Sequence, residues 1–201
     1  MSMIVVNQYH NVRHRMKPGD VIAFGGRGIV SWIIRKWTRS PISHVGIVSR
    51  VMTGGIDSIR VMESTSLDGF TGVTETRLSQ RLAHYRGEIY WLPLSQRRRN
   101  ALNLKLYYQY IYAMEGRAYD AWQAIRSATF DGAESHDKLF CSELAAGALE
   151  AGRVIDAINC SAVTPQDLCA FNLYHFTAHQ LKGHLVDIPN YNTKNPENFG
   201  L

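Results

Sequence analysis

The sequence predicts an α+β fold, with most of its strands in the first half of the chain and most of its helices in the second. Short apolar runs bounded by turn residues lie between residues 19 and 94, and this pattern is typical of strands. Apolar residues at helical spacing recur between residues 96 and 168. We find no internal repeat and no interdomain linker, so residues 1–201 are expected to form a single domain.

The strand candidates are short and end at glycine, proline or polar residues. They are GDVIAF (19–24), HVGIVSRV (44–51), SIRVMEST (58–65) and GEIYWLPL (87–94). Between the second and third lies TGGID (53–57), whose glycines suit a hairpin because glycine adopts positive φ at little cost. His44 therefore opens one strand, and Glu63 lies near the end of the next.

Helical patterns occupy most of the remaining chain. They are RGIVSWIIRKWTR (27–39), LSQRLAHY (78–85), one long helix at 96–115, a helix near 120–128 and LFCSELAAGALEAG (139–152). A further helix begins at TPQDL (164–168), where Thr164 is the cap, Pro165 lies in the first turn and Asp167 is the third residue. Only the last residues, NYNTKNPENFGL, read as loosely ordered.

The charge balance favours no particular partner strongly. There are 22 Lys and Arg against 17 Asp and Glu, a net charge of +5 that biases the surface toward anionic partners such as membrane surfaces or wall polymers. The basic run QRRRN (96–100) fits the solvated start of a helix, and no aromatic residues interleave with it. Nucleic acid is therefore not expected as a partner.

The cysteines and the N-terminal residues indicate the cellular compartment in which the protein is made. Three cysteines without CxxC spacing argue against a disulfide framework and a structural zinc site, so the thiols are expected to be free. The apolar run Met3–Val6 is too short for a signal peptide, and no segment is long enough to span a membrane. We expect synthesis in the cytoplasm; delivery to the periplasm or to another cell would require a non-classical route.

Cys141, His44 and Glu63 are the candidates for a reaction site. Cys141 stands at the start of the helix predicted at 139–152, where the positive dipole end stabilises a thiolate. His44 is a candidate base, and Glu63 on the neighbouring strand is a candidate acceptor for its second N–H group. Each residue also has a purely structural alternative: a buried cysteine, a core histidine and a salt-bridged glutamate.

Five motifs in this order resemble a known family. They are PGDVIAF, SHVGIV, VMEST, GRAYD and FCSEL. The combination resembles the circularly permuted branch of the papain-like NlpC superfamily, the YiiX-like hydrolases related to lecithin:retinol acyltransferase. The resemblance covers about residues 17–170 and leaves 171–201 as a C-terminal extension. It implies an antiparallel sheet packed against helices, with the histidine strand before the cysteine helix.

The resemblance implies a role for each candidate residue. Cys141 would be the nucleophile, His44 the base and Glu63 the group that orients the base. Tyr119 would shape the oxyanion region, although a packing role fits it equally. Ser142, with the residue after it, would contribute backbone N–H groups to an oxyanion hole. The reaction would pass through a thioester and need neither a cofactor nor a metal.

The resemblance leaves two substrate classes open. Classical relatives cleave amide bonds in peptidoglycan peptides, and the permuted branch and its acyltransferase kin act on lipid esters or amides. Trp32 and Trp37, which lie among basic residues, are candidates for holding an acyl chain at a membrane surface, or else pack into the core. Ser43 is a further candidate for substrate contact. An inhibitor or immunity partner fits such an enzyme, but no pattern identifies one.

Two other classes of function compete with hydrolysis. A metal protein could use Cys169, His175, His179 and His184, since His175 and His179 would share one face of a helix. Alternatively, the chain could be a non-catalytic binding module of a phage or secretion apparatus. The binding module leaves the combination of thiol, imidazole and carboxylate unexplained.

Overall fold

The computed structural model describes residues 3–26, 40–51, 59–67, 70–117 and 137–201. Three predicted elements lie outside the described residues: the helix at 27–39, the hairpin at 53–57 and the helix at 120–128. In the described part of the chain the α+β prediction is confirmed, because one mixed sheet packs against helices.

Seven strands of the described chain form this sheet. They are β1 (Met3–Val6), β2 (Val21–Gly26), β3 (His44–Arg50), β4 (Arg60–Leu67), β5 (Phe70–Arg77), β6 (Gly87–Leu92) and β7 (Thr177–Lys182). Their order across the sheet is β1-β7-β6-β2-β3-β4-β5. Strands β1 and β7 pair in parallel and the other neighbours pair antiparallel. The four predicted strands are β2, β3, β4 and β6, while β1, β5 and β7 were not predicted.

The helices of the described residues lie on both faces of the sheet. They are α1 (Tyr9–Val12), α2 (Leu78–His84), α3 (Gln96–Ala101), α4 (Leu104–Met114), α5 (Asp137–Ala151) and α6 (Pro165–Ala170). At the start of α6, Thr164 and Asp167 form the capping box that the sequence predicts. No helix in the described ranges has the length and apolar character that a bilayer crossing requires.

The single helix predicted at 96–115 is wrong, because the chain breaks between α3 and α4. Asn103 has an extended conformation, and its side chain accepts a hydrogen bond from the N–H of Leu106, which makes it the cap of α4. Its own N–H donates to the carbonyl of Gly152 at 2.8 Å, just beyond α5. The apolar spacing continues across this break, so periodicity alone does not reveal it.

Two apolar clusters hold the layers together. One contains residues of α4, α5 and α6 packed on one face of the sheet, including Val45, Ile47 and Met62. The other contains residues of α1 and α2 on the opposite face, including Val48 and Val61. Neighbouring residues of a strand therefore belong to different clusters, as the alternation of side chains along a strand requires.

The C-terminal residues are packed, so the prediction of a loose tail is wrong. Tyr191 is buried in the larger cluster, and its hydroxyl donates to the carbonyl of His175 at 2.8 Å. The Phe199 ring lies 5.1 Å from the ring of Phe171, centroid to centroid. The polar composition of this segment suggested disorder, but its two aromatic residues bury apolar surface that offsets the entropy cost of ordering it.

Candidate functional site

His44 and Glu63 meet at the sheet because their strands are neighbours. His44 is the first residue of β3, and Glu63 follows Met62, which pairs with Ile47 of β3. The Nε2 atom of His44 lies 2.8 Å from Oε2 of Glu63 and donates a hydrogen bond to it. The contact that the sequence predicts between these two residues is therefore present.

Cys141 reaches the same imidazole from α5. Its side chain is buried, and its thiol lies within hydrogen-bonding range of the His44 ring. Because Nε2 is engaged by Glu63, Nδ1 is the ring nitrogen that remains for proton exchange with the sulfur. Residues far apart in sequence thus form a chain of thiol, imidazole and carboxylate.

His44 connects the two layers of the fold. Cys141 belongs to the apolar cluster that contains α5. Glu63 lies two residues after Val61 in β4, so its side chain is on the face of the sheet that α2 covers. Since His44 lies at the very end of β3, its ring contacts groups from both layers. A residue in the middle of the strand would be separated from one of them by the sheet.

The surroundings of His44 favour its protonated form. Burial lowers the pKa of His44, but its charge interaction and hydrogen bond with Cys141, together with those with Glu63, raise this pKa to about 9. At neutral pH the ring is therefore an imidazolium. This state provides the acid that an acyl transfer needs at its leaving group.

Glu63 is held as a carboxylate by three donors. It is fully buried, and it accepts hydrogen bonds from His44, from the hydroxyl of Thr76 and from Nη2 of Arg81, the last at 3.0 Å. Burial raises the pKa of Glu63, but the hydrogen bond from His44 and the positive charge of Arg81 bring it below the usual range. Glu63 therefore keeps its negative charge in spite of its burial.

Arg81 extends the site beyond what sequence reasoning identified. Its guanidinium carbon lies 5.0 Å from the centre of the Phe24 ring and 5.1 Å from that of Tyr85. The Phe24 ring also packs against the imidazole of His44, at a centroid distance of 5.2 Å. Charges alternate along the row Arg81, Glu63 and His44, so the buried Glu63 carboxylate has a cation on either side.

The predicted oxyanion contribution of Ser142 does not fit the observed helix. Helix α5 begins at Asp137, so Cys141 is its fifth residue and does not stand at its start. The backbone N–H groups of Ser142 and Glu143 therefore lie beyond the unpaired groups of the first turn. The hydroxyl of Ser142 is buried and donates to the carbonyl of Val163 at 2.5 Å, which is a structural role.

Ser43, which is predicted to contact substrate, has a structural role in the described residues. It is buried, its hydroxyl accepts from the N–H of Gly26 at 3.0 Å, and it lies 3.4 Å from the carbonyl of Phe24, to which it donates. These bonds fasten the entry of β3 to the end of β2. The remaining predicted site residues, Trp32, Trp37 and Tyr119, lie outside the described residues.

The hypothesis of a metal site does not match the positions of the histidines. His179 lies in β7 and His175 precedes that strand, so they do not share a helix face. Nδ1 of His179 accepts from the side-chain amide of Asn7 at 2.9 Å, and Nδ1 of His175 accepts from the N–H of Thr177 at 3.3 Å. Within the described ranges, no three His, Cys, Asp or Glu residues are arranged to hold a metal ion.

The other two cysteines are poorly suited to nucleophilic chemistry. Burial raises the pKa of the Cys169 thiol above its usual range, and that residue is fully enclosed in the core. Burial and a hydrogen bond to Glu150 likewise raise the pKa of Cys160. Neither environment favours a thiolate.

Gly46 leaves room for the side chain of Glu63, and replacement of Gly46 by alanine is expected to destabilise the protein. A Cβ atom there would lie 2.6 Å from Cγ1 of Val61 and 2.7 Å from Cγ of Glu63. Both atoms belong to buried side chains with little room to move, so the expected loss is about 1–3 kcal/mol of unfolding free energy. Chemical denaturation measures it, and an unchanged midpoint would contradict the close packing.

Comparisons with known proteins find a distant similarity to a solved structure. No family model matches the chain, and no curated protein matches it. Among solved structures, the crystal structure of the metalloprotein YiiX from Escherichia coli O157:H7 is similar to it, with 23% sequence identity and a TM-score of 0.45. The match covers 70% of this chain and 69% of that chain. A likeness of this size transfers neither a function nor a metal.

Proposed function

We propose that the protein is a cysteine-dependent hydrolase that acts through a thioester acyl-enzyme. The observation that supports this proposal is the contact of one imidazole, His44, with both the thiol of Cys141 and the carboxylate of Glu63. Nucleophile, base and orienting carboxylate are the parts that covalent acyl transfer requires.

Each step of the reaction follows from the charges of the site. The Cys141 thiolate attacks the substrate carbonyl carbon, and the His44 imidazolium gives its proton to the leaving group as that bond breaks. Neutral His44 then takes a proton from water, whose oxygen attacks the thioester and displaces the sulfur. The acid product leaves, and the proton on His44 restores the starting ion pair. Glu63 stabilises the imidazolium, while Arg81 and Thr76 hold Glu63 in place.

The substrate class rests on the resemblance in sequence to the wider papain-like NlpC superfamily, whose classical members cleave amide bonds in peptidoglycan peptides. We propose an amide bond of a bacterial cell-wall peptide as the target. A lipid ester or amide is the other outcome of the test, since the same site chemistry attacks either carbonyl.

The experiment compares the two substrate classes directly. Purified protein is incubated with peptidoglycan fragments and, separately, with phospholipid vesicles, and mass spectrometry detects new amines or released fatty acid. The Cys141→Ala variant is the control for contaminating activity. New amines from peptidoglycan support the proposal, fatty acid release reassigns the substrate, and no product from either source would overturn hydrolysis of these classes.

The protonation of His44 can be measured without a substrate. Because its pKa is raised to about 9, the imidazolium should persist at neutral pH and lose its proton as the pH rises through about 9. An NMR titration of the ring protons, assigned by comparison with His44→Gln, measures this midpoint. In Cys141→Ala the midpoint should move to lower pH, because one negative charge is removed. A midpoint near 6.5 in both proteins contradicts the ion pair.

A further inference from the structure

A cleft of about 800 Å³ opens beside Glu63, separate from the thiol. Its walls come from β4, β5, α2 and the residues that follow α2. Thr76 and Arg81 line this cleft and also hydrogen-bond Glu63, whereas His44 and Cys141 are not among its lining residues. The cleft is therefore connected to the candidate site by Thr76 and Arg81, the hydrogen-bond partners of the Glu63 carboxylate.

The lining combines hydroxyl groups with aromatic rings. The hydroxyls belong to Thr65, Ser66, Thr74 and Thr76, and the rings are those of Phe70 and Tyr85. Hydroxyl groups donate to the oxygen atoms of a bound ligand, and aromatic faces pack against its apolar surface. Such walls suit a small polar molecule better than an acyl chain.

The charges of the cleft are mainly positive. Arg81 and Arg86 line it, while its acidic residue, Glu75, is already paired. The Glu75 carboxylate accepts from Arg50 and from Ser49, each at 2.7 Å. Arg81 is paired with Glu63, so Arg86 is the lining arginine that an anionic ligand would meet outside an ion pair in the described structure.

Arg81 lines the cleft and carries a buried N–H group without an acceptor among the described residues. Its side chain is only 10% exposed, and Nη2 donates to Glu63, but its buried Nε has no hydrogen-bond partner among the described residues. A buried N–H group without an acceptor is unfavourable, so such groups point to a missing partner. Because this Nε lies beneath the surface of the cleft, an oxyanion would reach it only after a shift of the Arg81 side chain.

We propose that this cleft binds an oxyanion, a carboxylate or a phosphate, on a small hydroxyl-rich ligand, with Arg81 and Arg86 as its cationic contacts. A carboxylate would come from a wall peptide, and a phosphate from a lipid headgroup or a phosphate-bearing polymer. Binding at this cleft does not require turnover, so its test stands apart from that of the proposed hydrolase.

The experiment titrates the protein with inorganic phosphate, glycerol 1-phosphate and D-glutamate at constant ionic strength and follows backbone amide shifts by NMR. Saturable shifts should occur at Thr65, Thr74 and Thr76. Arg86→Gln should weaken binding at least about tenfold, because it removes one charge contact. Arg97→Gln removes a similarly exposed arginine outside the cleft and should leave binding unchanged.

The outcomes separate the sources of the ligand. Binding of D-glutamate alone supports a peptide carboxylate, binding of the phosphates alone supports a phosphate ligand, and binding of both supports oxyanion recognition in general. The proposal is overturned if no probe gives saturable shifts at the cleft, or if Arg97→Gln weakens binding as much as Arg86→Gln does. Cys141→Ala should bind the probes as the wild type does, whether or not that variant retains hydrolytic activity.

Discussion

Cys141→Ala is expected to abolish hydrolysis, with turnover reduced by about 10⁴-fold or more, because the nucleophile of the proposed reaction is removed. His44 and Glu63 cannot form a covalent intermediate in its place. The small change from thiol to methyl in a buried position should leave the fold intact. Product release from the substrate identified by the incubation experiment measures the effect, and circular dichroism checks the fold.

Cys160→Ala is the matched control for this prediction. The Cys160 thiol donates to Glu150 at 3.0 Å and has no contact with His44 in the described structure. Its loss should leave turnover within about twofold of the wild type, since surface-side changes away from the site have small effects. Retained activity in Cys141→Ala, or equal losses in both variants, would remove Cys141 from the reaction.

The contact between His44 and Glu63 could be predicted because both residues lie in strands with clear apolar patterns. SHVGIV and RVMEST each show a strand bounded by turn residues, and successive strands tend to pair. The short span between them indicated that they are neighbours. Cys141 was joined to this pair by the chemistry that a thiol nucleophile requires and by the family resemblance, because pairing rules do not relate a helix to a distant strand.

Thr76 could not be predicted as a partner of Glu63, because β5 was not recognised as a strand. Arg81 lies in a predicted helix, but that helix follows β5 directly, so its position beside Glu63 could not be predicted either. The sequence of β5, FTGVTETR, is mostly polar and has only two apolar residues, so its alternation is weak. It forms by pairing along the whole of β4, from Arg60 opposite Arg77 to Leu67 opposite Phe70. Backbone pairing with a long neighbour thus stabilises a segment whose own pattern does not indicate a strand.

The parallel pairing of β1 with β7 could not be predicted from the sequence either. It joins Met3 to Thr177 and Val6 to Gln180, and such a long separation leaves no local signal. The histidine in β7, His179, belongs to this pairing: its ring stacks on Trp91 at a centroid distance of 4.7 Å. The metal hypothesis assumed that this segment is a helix, and the observed strand contradicts it.

Glu63→Gln is expected to reduce turnover by roughly 10²–10⁴-fold, because the amide cannot stabilise the His44 imidazolium as a carboxylate does. The hydrogen bond and the negative charge of Glu63 both raise the pKa of His44, so this pKa should fall in the variant. The acid for the leaving group is then lost at a lower pH. The pH dependence of turnover should show its alkaline limb shifted downward.

The same substitution is expected to destabilise the fold, although glutamine preserves the shape of the side chain. Arg81 is nearly buried and would lose its only carboxylate partner among the described residues, which costs about 3–5 kcal/mol for a broken buried pair. The double variant Glu63→Gln/Arg81→Met removes both charges and keeps an apolar stem between Phe24 and Tyr85. It should recover more than half of the lost unfolding free energy while turnover stays low. Recovery of turnover together with stability would make Glu63 a structural residue, whereas stability restored without activity assigns it to the reaction.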